Sequence, residues 1–245
     1  MDLSVVIPVL NEQDSVGPLI EQIQACLPEG LACEIICIDD GSTDGTPAEL
    51  FRLADRYPVV RVRRHARHAG QSAAILTGTL AAQAPWIATL DGDGQNDPSD
   101  IVRLWRRRRV PGAPDGPSLI VGWRRQRRDR WGKRLASRIA NAVRSRVLRD
   151  HTPDAGCGLK LFCRATFLSL PRFDHMHRFL PGLFQRAGAE VVSVAVNHRP
   201  RLLGKSKYGV YDRLWVGIVD LFGVWWLQRR TLPSGVAAAD EEDAD

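Results

Sequence analysis

The pentapeptide Asp91-Gly92-Asp93-Gly94-Gln95 holds the densest chemistry in the chain. Two carboxylates one residue apart, at the mouth of a strand, can share a hard divalent cation such as Mg2+ or Mn2+ through oxygen ligands. Gln95 adds a neutral oxygen, and the glycines let a bound diphosphate approach the backbone. A turn with solvated acids is the plainer alternative, so the reading depends on what else reaches the same place. Asp39-Asp40-Gly41-Ser42-Thr43-Asp44 is rich in turn and capping residues, but its carboxylates can equally accept hydrogen bonds from a nucleoside base or ribose. Pro8-Val9-Leu10-Asn11-Glu12 would close over the same base.

These turns need elements that bring them together. Leu3 to Val9, Glu34 to Asp39, Val59 to Arg63 and Trp86 to Leu90 read as strands. Between them, Ser15–Leu27, Thr43–Tyr57 and Gln71–Gln83 carry apolar residues at helical spacing, with Thr43 or Asp44 placed as a cap. Such alternation predicts an α/β fold with a mostly parallel sheet flanked by helices. Ligands in such sheets sit at the carboxyl ends of the strands, where all three polar turns fall. Beyond Pro98 the pattern gives a basic helix from Asp100 to Arg109, a Pro- and Gly-rich loop, and a strand at Leu119–Gly122. A helix follows from Trp131 to Leu148, with Trp131, Leu135, Ile139, Val143 and Val147 on one stripe, and then a strand at Glu190–Asn197. One domain over residues 1–210 is expected, then an amphipathic helix over 211–230 and an acidic, disordered tail over 231–245.

Charge narrows the choice of partner. The 245 residues carry a formal charge of +6, yet Arg103 to Arg149 holds sixteen Lys or Arg against two acids. A basic middle calls for a polyanion: nucleic acid, an anionic bilayer or a phosphorylated substrate. The stretch lacks a nucleic-acid-binding motif and has few aromatics, which disfavours an RNA-binding module. Tyr211 to Arg230 places Leu214, Trp215, Ile218, Leu221, Phe222, Trp225 and Trp226 at helical spacing and closes on two arginines, which suits a headgroup boundary or a membrane-protein partner. Its apolar run is shorter than the roughly 18 residues a span needs and contains Asp220; no leader is expected at the N-terminus. Five cysteines without a C-x-x-C pair read as reduced thiols. The histidines form no ligand pattern, and His175 and His177 read as solvated loop residues.

In order and spacing, V-V-I-P-V-L-N-E, I-C-I-D-D-G-S-T-D-G-T, H-A-G-Q-S-A-A-I and D-G-D-G-Q-N-D-P resemble family-2 glycosyltransferases of the GT-A fold, and more narrowly the polyprenyl-phosphate sugar synthases that include dolichol-phosphate mannose synthase. The similarity covers roughly residues 3 to 210. It implies a metal-dependent, inverting transfer of a sugar from a nucleotide-sugar to a polyprenyl or dolichyl phosphate, by a peripheral protein on the cytoplasmic face of the membrane. GDP-mannose is the first donor it suggests, with UDP-glucose or a UDP-uronic acid as the alternative. Pro8, Asn11, Glu12 and Asp40 would then bind the nucleoside, with Gly70 and Gln71 near the sugar-nucleotide. Asp91, Asp93 and Gln95 would hold Mg2+ or Mn2+. Asp154-Ala155-Gly156-Cys157-Gly158-Leu159-Lys160 resembles the family's segment beside the acceptor, where Asp154 would act as a base or, preferably, orient an arginine. Arg124, Arg134, Arg201, Lys205, Ser206 and Lys207 would meet phosphate, Arg124 and Arg201 also during catalysis. Polysaccharide-elongating relatives carry a late Q-x-x-R-W; Gln126 to Trp131 misses that spacing and comes too early.

Overall fold

The structure, a computed structural model, describes residues 1–108, 118–124, 141–199 and 210–230, the last with side chains from 216 onward. Its first half follows the expected alternation: β1 (Leu3–Val9), α1 (Val16–Cys26), β2 (Cys33–Asp39), α2 (Thr46–Arg56), β3 (Val60–Arg64), α3 (Gln71–Ala81) and β4 (Trp86–Thr89). The second half adds α4 (Ser99–Arg107), β5 (Leu119–Arg124), α5 (residues 141–148), β6 (Lys160–Cys163), α6 (Arg164–Ser169), a 3-10 turn at Met176–Arg178, α7 (Leu180–Arg186), β7 (Val191–Val196) and α8 (Val210–Arg229).

The strands form one seven-stranded sheet in the order β3-β2-β1-β4-β6-β5-β7. β6 runs antiparallel to both β4 and β5, and every other pairing is parallel. Both faces are covered, and β1 and β2 are apolar on successive residues for that reason. Val5, Ile7, Ile35 and Cys37 pack with α1, α2 and α4 on one face. Val6, Ile36, Ile38 and Phe162 pack with α3, α6, α7 and Val224 of α8 on the other. Burying each such side chain contributes about 1.5–3 kcal/mol.

α3 lies unusually close to the sheet. A Cβ on Gly78 would collide with Val6 and press on Ile38. A mid-helix glycine costs about 1 kcal/mol in propensity; here the missing side chain lets the helix settle onto β1 and β2, which fixes where its first turn stands over the strand ends.

The sequence reading differs from the structure in particular places. α2 is capped at Gly45 instead of Thr43 or Asp44, although Asp44 accepts the Thr46 N–H at 3.0 Å. On α5, Val143 is exposed while Leu148 is buried, so the apolar stripe does not face the core throughout. Arg144, within the basic middle, is buried, donating to Asp150 at 2.9 Å and to the Thr152 carbonyl at 2.6 Å. Trp131, Leu135, Ile139, the Trp215 side chain and the acidic tail lie outside the described residues.

Candidate active site at the carboxyl edge of the sheet

Parallel pairing of β1 with β2 and β4 brings the turns after Val9, Asp39 and Thr89 to one edge. The first two turns are stitched to each other. Asn11, in a left-handed conformation (φ 50°), donates its N–H to Ser42 at 2.9 Å and accepts the Thr43 N–H at 2.8 Å. The Glu12 N–H reaches Thr46 at 2.8 Å. Pro8 lies in β1 paired with Ile38, and its carbonyl is close to Gly92.

Asp40 is buried and organises the loop that follows β3. One oxygen accepts from His65 Nδ1 at 2.7 Å and the Ala69 N–H at 2.9 Å; the other accepts the Gly70 N–H at 2.9 Å and faces His68 Nδ1 at 2.7 Å. Burial by itself raises such a carboxyl, but His65, the two amides and His68 outweigh it and hold the pKa below the ordinary 3.8. A carboxylate accepts about four hydrogen bonds, so a nucleoside reaching Asp40 must displace a donor. His68, whose side chain is 48% exposed, is the outermost.

Asp91 is the other focus. Gln71, at the start of α3, donates to its Oδ1 at 2.7 Å, and its N–H faces Asn96 at 3.4 Å. Enclosure raises its pKa first and the neighbouring Asp93 carboxylate second, while Lys160, Arg124 and the Gln71 amide pull it back. A Cβ on Gly158 would overlap the Asp91 carboxylate, so only glycine lets the segment before β6 pass this close. Gln95 donates its N–H to Asp93 at 3.1 Å and accepts the Arg199 N–H at 3.0 Å.

Two cations flank the acids, the half-buried Arg124 and the buried Lys160. Arg124 grips Asp154 with both ends of its guanidinium, at 2.7 and 2.9 Å. Burial alone lowers its pKa, yet the Asp154 carboxylate raises it above the ordinary value. Lys160 is buried, donates to the Cys157 carbonyl and has its pKa lowered, chiefly by burial. Its register explains this: β4 pairs Thr89 with Lys160, two residues from Asp91. Burial pushes the Cys157 thiol up to about 11, which excludes a resting thiolate nucleophile.

The residues present fit a divalent cation on Asp91 and Asp93. Among the described residues no three His, Cys, Asp or Glu side chains surround one point. A cation here would therefore complete its shell from diphosphate oxygens and water, the usual arrangement for Mg2+ with nucleotides.

Asp40, Gly70, Gln71, Asp91, Asp93, Asp154 and Arg124 thus belong to one connected edge. Arg134, Arg201, Lys205, Ser206 and Lys207 lie outside the described residues. Among the described residues, Asn96 bridges His198, and Arg199 pairs with Asp97 at 2.9 Å. His175 and His177 are not freely solvated loop residues; both are half-buried and partnered. His175 Nδ1 is 3.2 Å from Asp220 of α8, and His177 Nδ1 is 2.7 Å from the Ser72 hydroxyl. Lys160 was legible as a lysine inside the apolar run Leu159–Phe162, a sign of a buried cation. Nothing local marks His177, because its partner is 105 residues away in sequence.

The chain resembles known proteins in fold and in sequence. The solved structures that resemble the chain include glucosyl-3-phosphoglycerate synthase from Mycobacterium tuberculosis in complex with Mg2+ and UDP, at a TM-score of 0.67 and 20% identity over 96% of this chain and 81% of that one. That likeness establishes the GT-A fold. Among curated proteins, dodecaprenyl-phosphate galacturonate synthase of Rhizobium johnstonii is 35% identical over 94% of this chain and 68% of its own length. Undecaprenyl-phosphate 4-deoxy-4-formamido-L-arabinose transferase of Edwardsiella ictaluri is 35% identical over 85% of this chain and 63% of its own length. The chain therefore spans about two thirds of these relatives. The profile of glycosyl transferase family 2 matches residues 4–169, and with these relatives it places the chain in that family.

Proposed function

We propose that this chain transfers a sugar from a UDP-sugar to a polyprenyl phosphate at a membrane surface, with inversion at the anomeric carbon. The observation that supports it most is the half-buried Asp91 carboxylate, beside Asp93, held by Gln71 and flanked by Lys160 and Arg124. The donor reading moves from GDP-mannose to a UDP-linked sugar, because the relatives are named for galacturonate and formamido-arabinose transfer and the solved neighbours hold UDP.

In this reading an acceptor phosphate oxygen attacks the anomeric carbon, the bond to the diphosphate breaks, and UDP leaves. A phosphate monoester is already anionic near neutral pH, its second pKa being about 6, so no general base is needed. Asp154, tied to Arg124 through two hydrogen bonds, then serves to orient that arginine. Mg2+ or Mn2+ on Asp91 and Asp93 would supply Lewis-acid stabilisation of the leaving diphosphate. Arg201, Lys205 and Lys207 would supply cations to hold two anionic substrates together.

The outer face of α8 supports attachment to an anionic membrane on the face where nucleotide-sugars are available. No helix among the described residues is long and apolar enough to cross a bilayer. Instead Val219 (58% exposed), Phe222 (63%) and Trp226 (54%) point outward, followed by the exposed Arg229 and Arg230. Apolar side chains beside arginines suit the headgroup boundary.

The donor is tested by incubating the protein with labelled UDP-galacturonate, UDP-glucose or GDP-mannose, Mn2+ and polyprenyl phosphate. Lipid-extractable label is expected from a UDP-sugar. Label from GDP-mannose alone contradicts the donor reading.

A further inference from the structure

The three residues that open α3 are held at three separate places. The Gly70 N–H donates to Asp40 at 2.9 Å, and the Gln71 amide donates to Asp91 at 2.7 Å. The Ser72 hydroxyl is gripped by His177, whose backbone N–H donates to it at 3.2 Å and whose Nδ1 lies 2.7 Å away. Consecutive residues thus meet the nucleoside turn, the acidic turn and the 3-10 turn at Met176–Arg178.

This arrangement matters because α3 begins weakly. Its N-cap, Gly70, has a φ of 93° and offers no side-chain cap. The apolar burial that seats the helix starts only at Ala74. An uncapped first turn frays, and a fraying turn would leave the Gln71 amide loose over the carboxylate it must hold. The loop bearing His177 is itself anchored from the far side, by His175 against Asp220 of α8 at 3.2 Å. Burial first, then the charges of Lys160, Arg178 and His175, push the His177 pKa well below 6.5, so the ring is neutral and suited to a hydrogen bond with a hydroxyl.

We propose that His177 is a positioning residue for the transfer reaction: through Ser72 it pins the first turn of α3, and so holds the Gln71 amide on Asp91. It touches neither substrate nor cation. The inference rests on the donor-site reading above, since it gives Asp91 its role toward a cation on UDP.

The test is calorimetric titration of UDP into the full chain with and without Mn2+, with circular dichroism to confirm folding. In the wild type Mn2+ should strengthen UDP binding. His177→Ala should lose about 10-fold of that Mn2+-dependent gain, the scale of an outer-shell partner, while metal-free UDP affinity stays unchanged. His177→Asn, which sets an amide oxygen near the place of Nδ1, should restore it. Ser72→Ala should mimic His177→Ala and carries the test if His177→Ala does not fold. Adding His177→Ala to Gln71→Ala should cost nothing more, because both act through one contact. The inference is overturned if both single variants bind Mn2+ and UDP like wild type, if metal-free affinity falls in parallel, or if the losses add. A wild type whose UDP affinity ignores Mn2+ removes the donor-site reading itself, and the inference with it.

Discussion

At Gly158 the absence of a side chain decides the geometry of a carboxylate. The space a Cβ would need is filled by Asp91, so Gly158→Ala must shift either the segment before β6 or the acid itself. Overpacking of this kind costs about 1–3 kcal/mol, and a displacement of about 1 Å costs a reaction about a hundred-fold. Steady-state transfer by Gly158→Ala should therefore drop about a hundred-fold while the variant still folds; wild-type kcat/KM would show that Asp91 is not the centre of the chemistry. Two other residues give the protein a pH signature. His177 has a folded pKa well below 6.5, so the unfolded chain binds a proton that the folded chain refuses. Stability should accordingly fall as pH drops below 6.5 and hold above it. Asp40 acts in a lower window: its depressed pKa stabilises the fold above 3.8, and that contribution disappears as pH falls through the folded value. Urea midpoints measured from pH 7.5 to 5 should show the first slope in the wild type and a shallower one in His177→Asn. Equal slopes would contradict a neutral imidazole bound to Ser72.

At the scale of the element, α8 mixes polar and apolar side chains on both of its faces. Among its described side chains, Gln228 and Asp220 turn inward: Gln228 donates to the carbonyls of Leu148 and Gly182, and Asp220 faces His175. Val219, Phe222 and Trp226 turn outward. A face this apolar calls for cover, and the arginines at its end favour anionic lipid. Liposomes containing anionic lipid should float the purified chain, and Phe222→Ser with Trp226→Ser should abolish flotation while UDP binding is kept. RNA binding without flotation would contradict the membrane reading. The apolar spacing of this helix was legible in the sequence, but its orientation was not, because apolar residues occupy most of its turns and only tertiary contacts choose which side packs. β6 escaped notice for a related reason. Four residues, Lys160–Cys163, are too few to show a period, and their antiparallel entry between β4 and β5 depends on pairings distant in sequence.

For the molecule as a whole, the first 98 residues are close to self-describing. Each strand there ends at a turn whose residues have strong local preferences, and parallel pairing alone gathers those turns at one edge. Asp40 and Asp91 could be placed from that pattern, and Gln71 from the family resemblance. Arg124, Asp154 and Lys160 reach the same edge through the reversed strand β6 and its neighbours, so the resemblance of the segment from Asp154 to Lys160 pointed to the last two more clearly than any periodicity. The cluster at Ser72 and His177 joins residues 105 apart in sequence and left no local trace. The most direct measurement of what this edge does is transfer of label from a UDP-sugar to polyprenyl phosphate, comparing wild type with Asp91→Asn and Asp93→Asn in the presence of Mn2+. Label should enter the lipid fraction with wild type and fall about a hundred-fold or more in either variant, with circular dichroism unchanged; equal label from folded Asp91→Asn would contradict a site centred on that carboxylate.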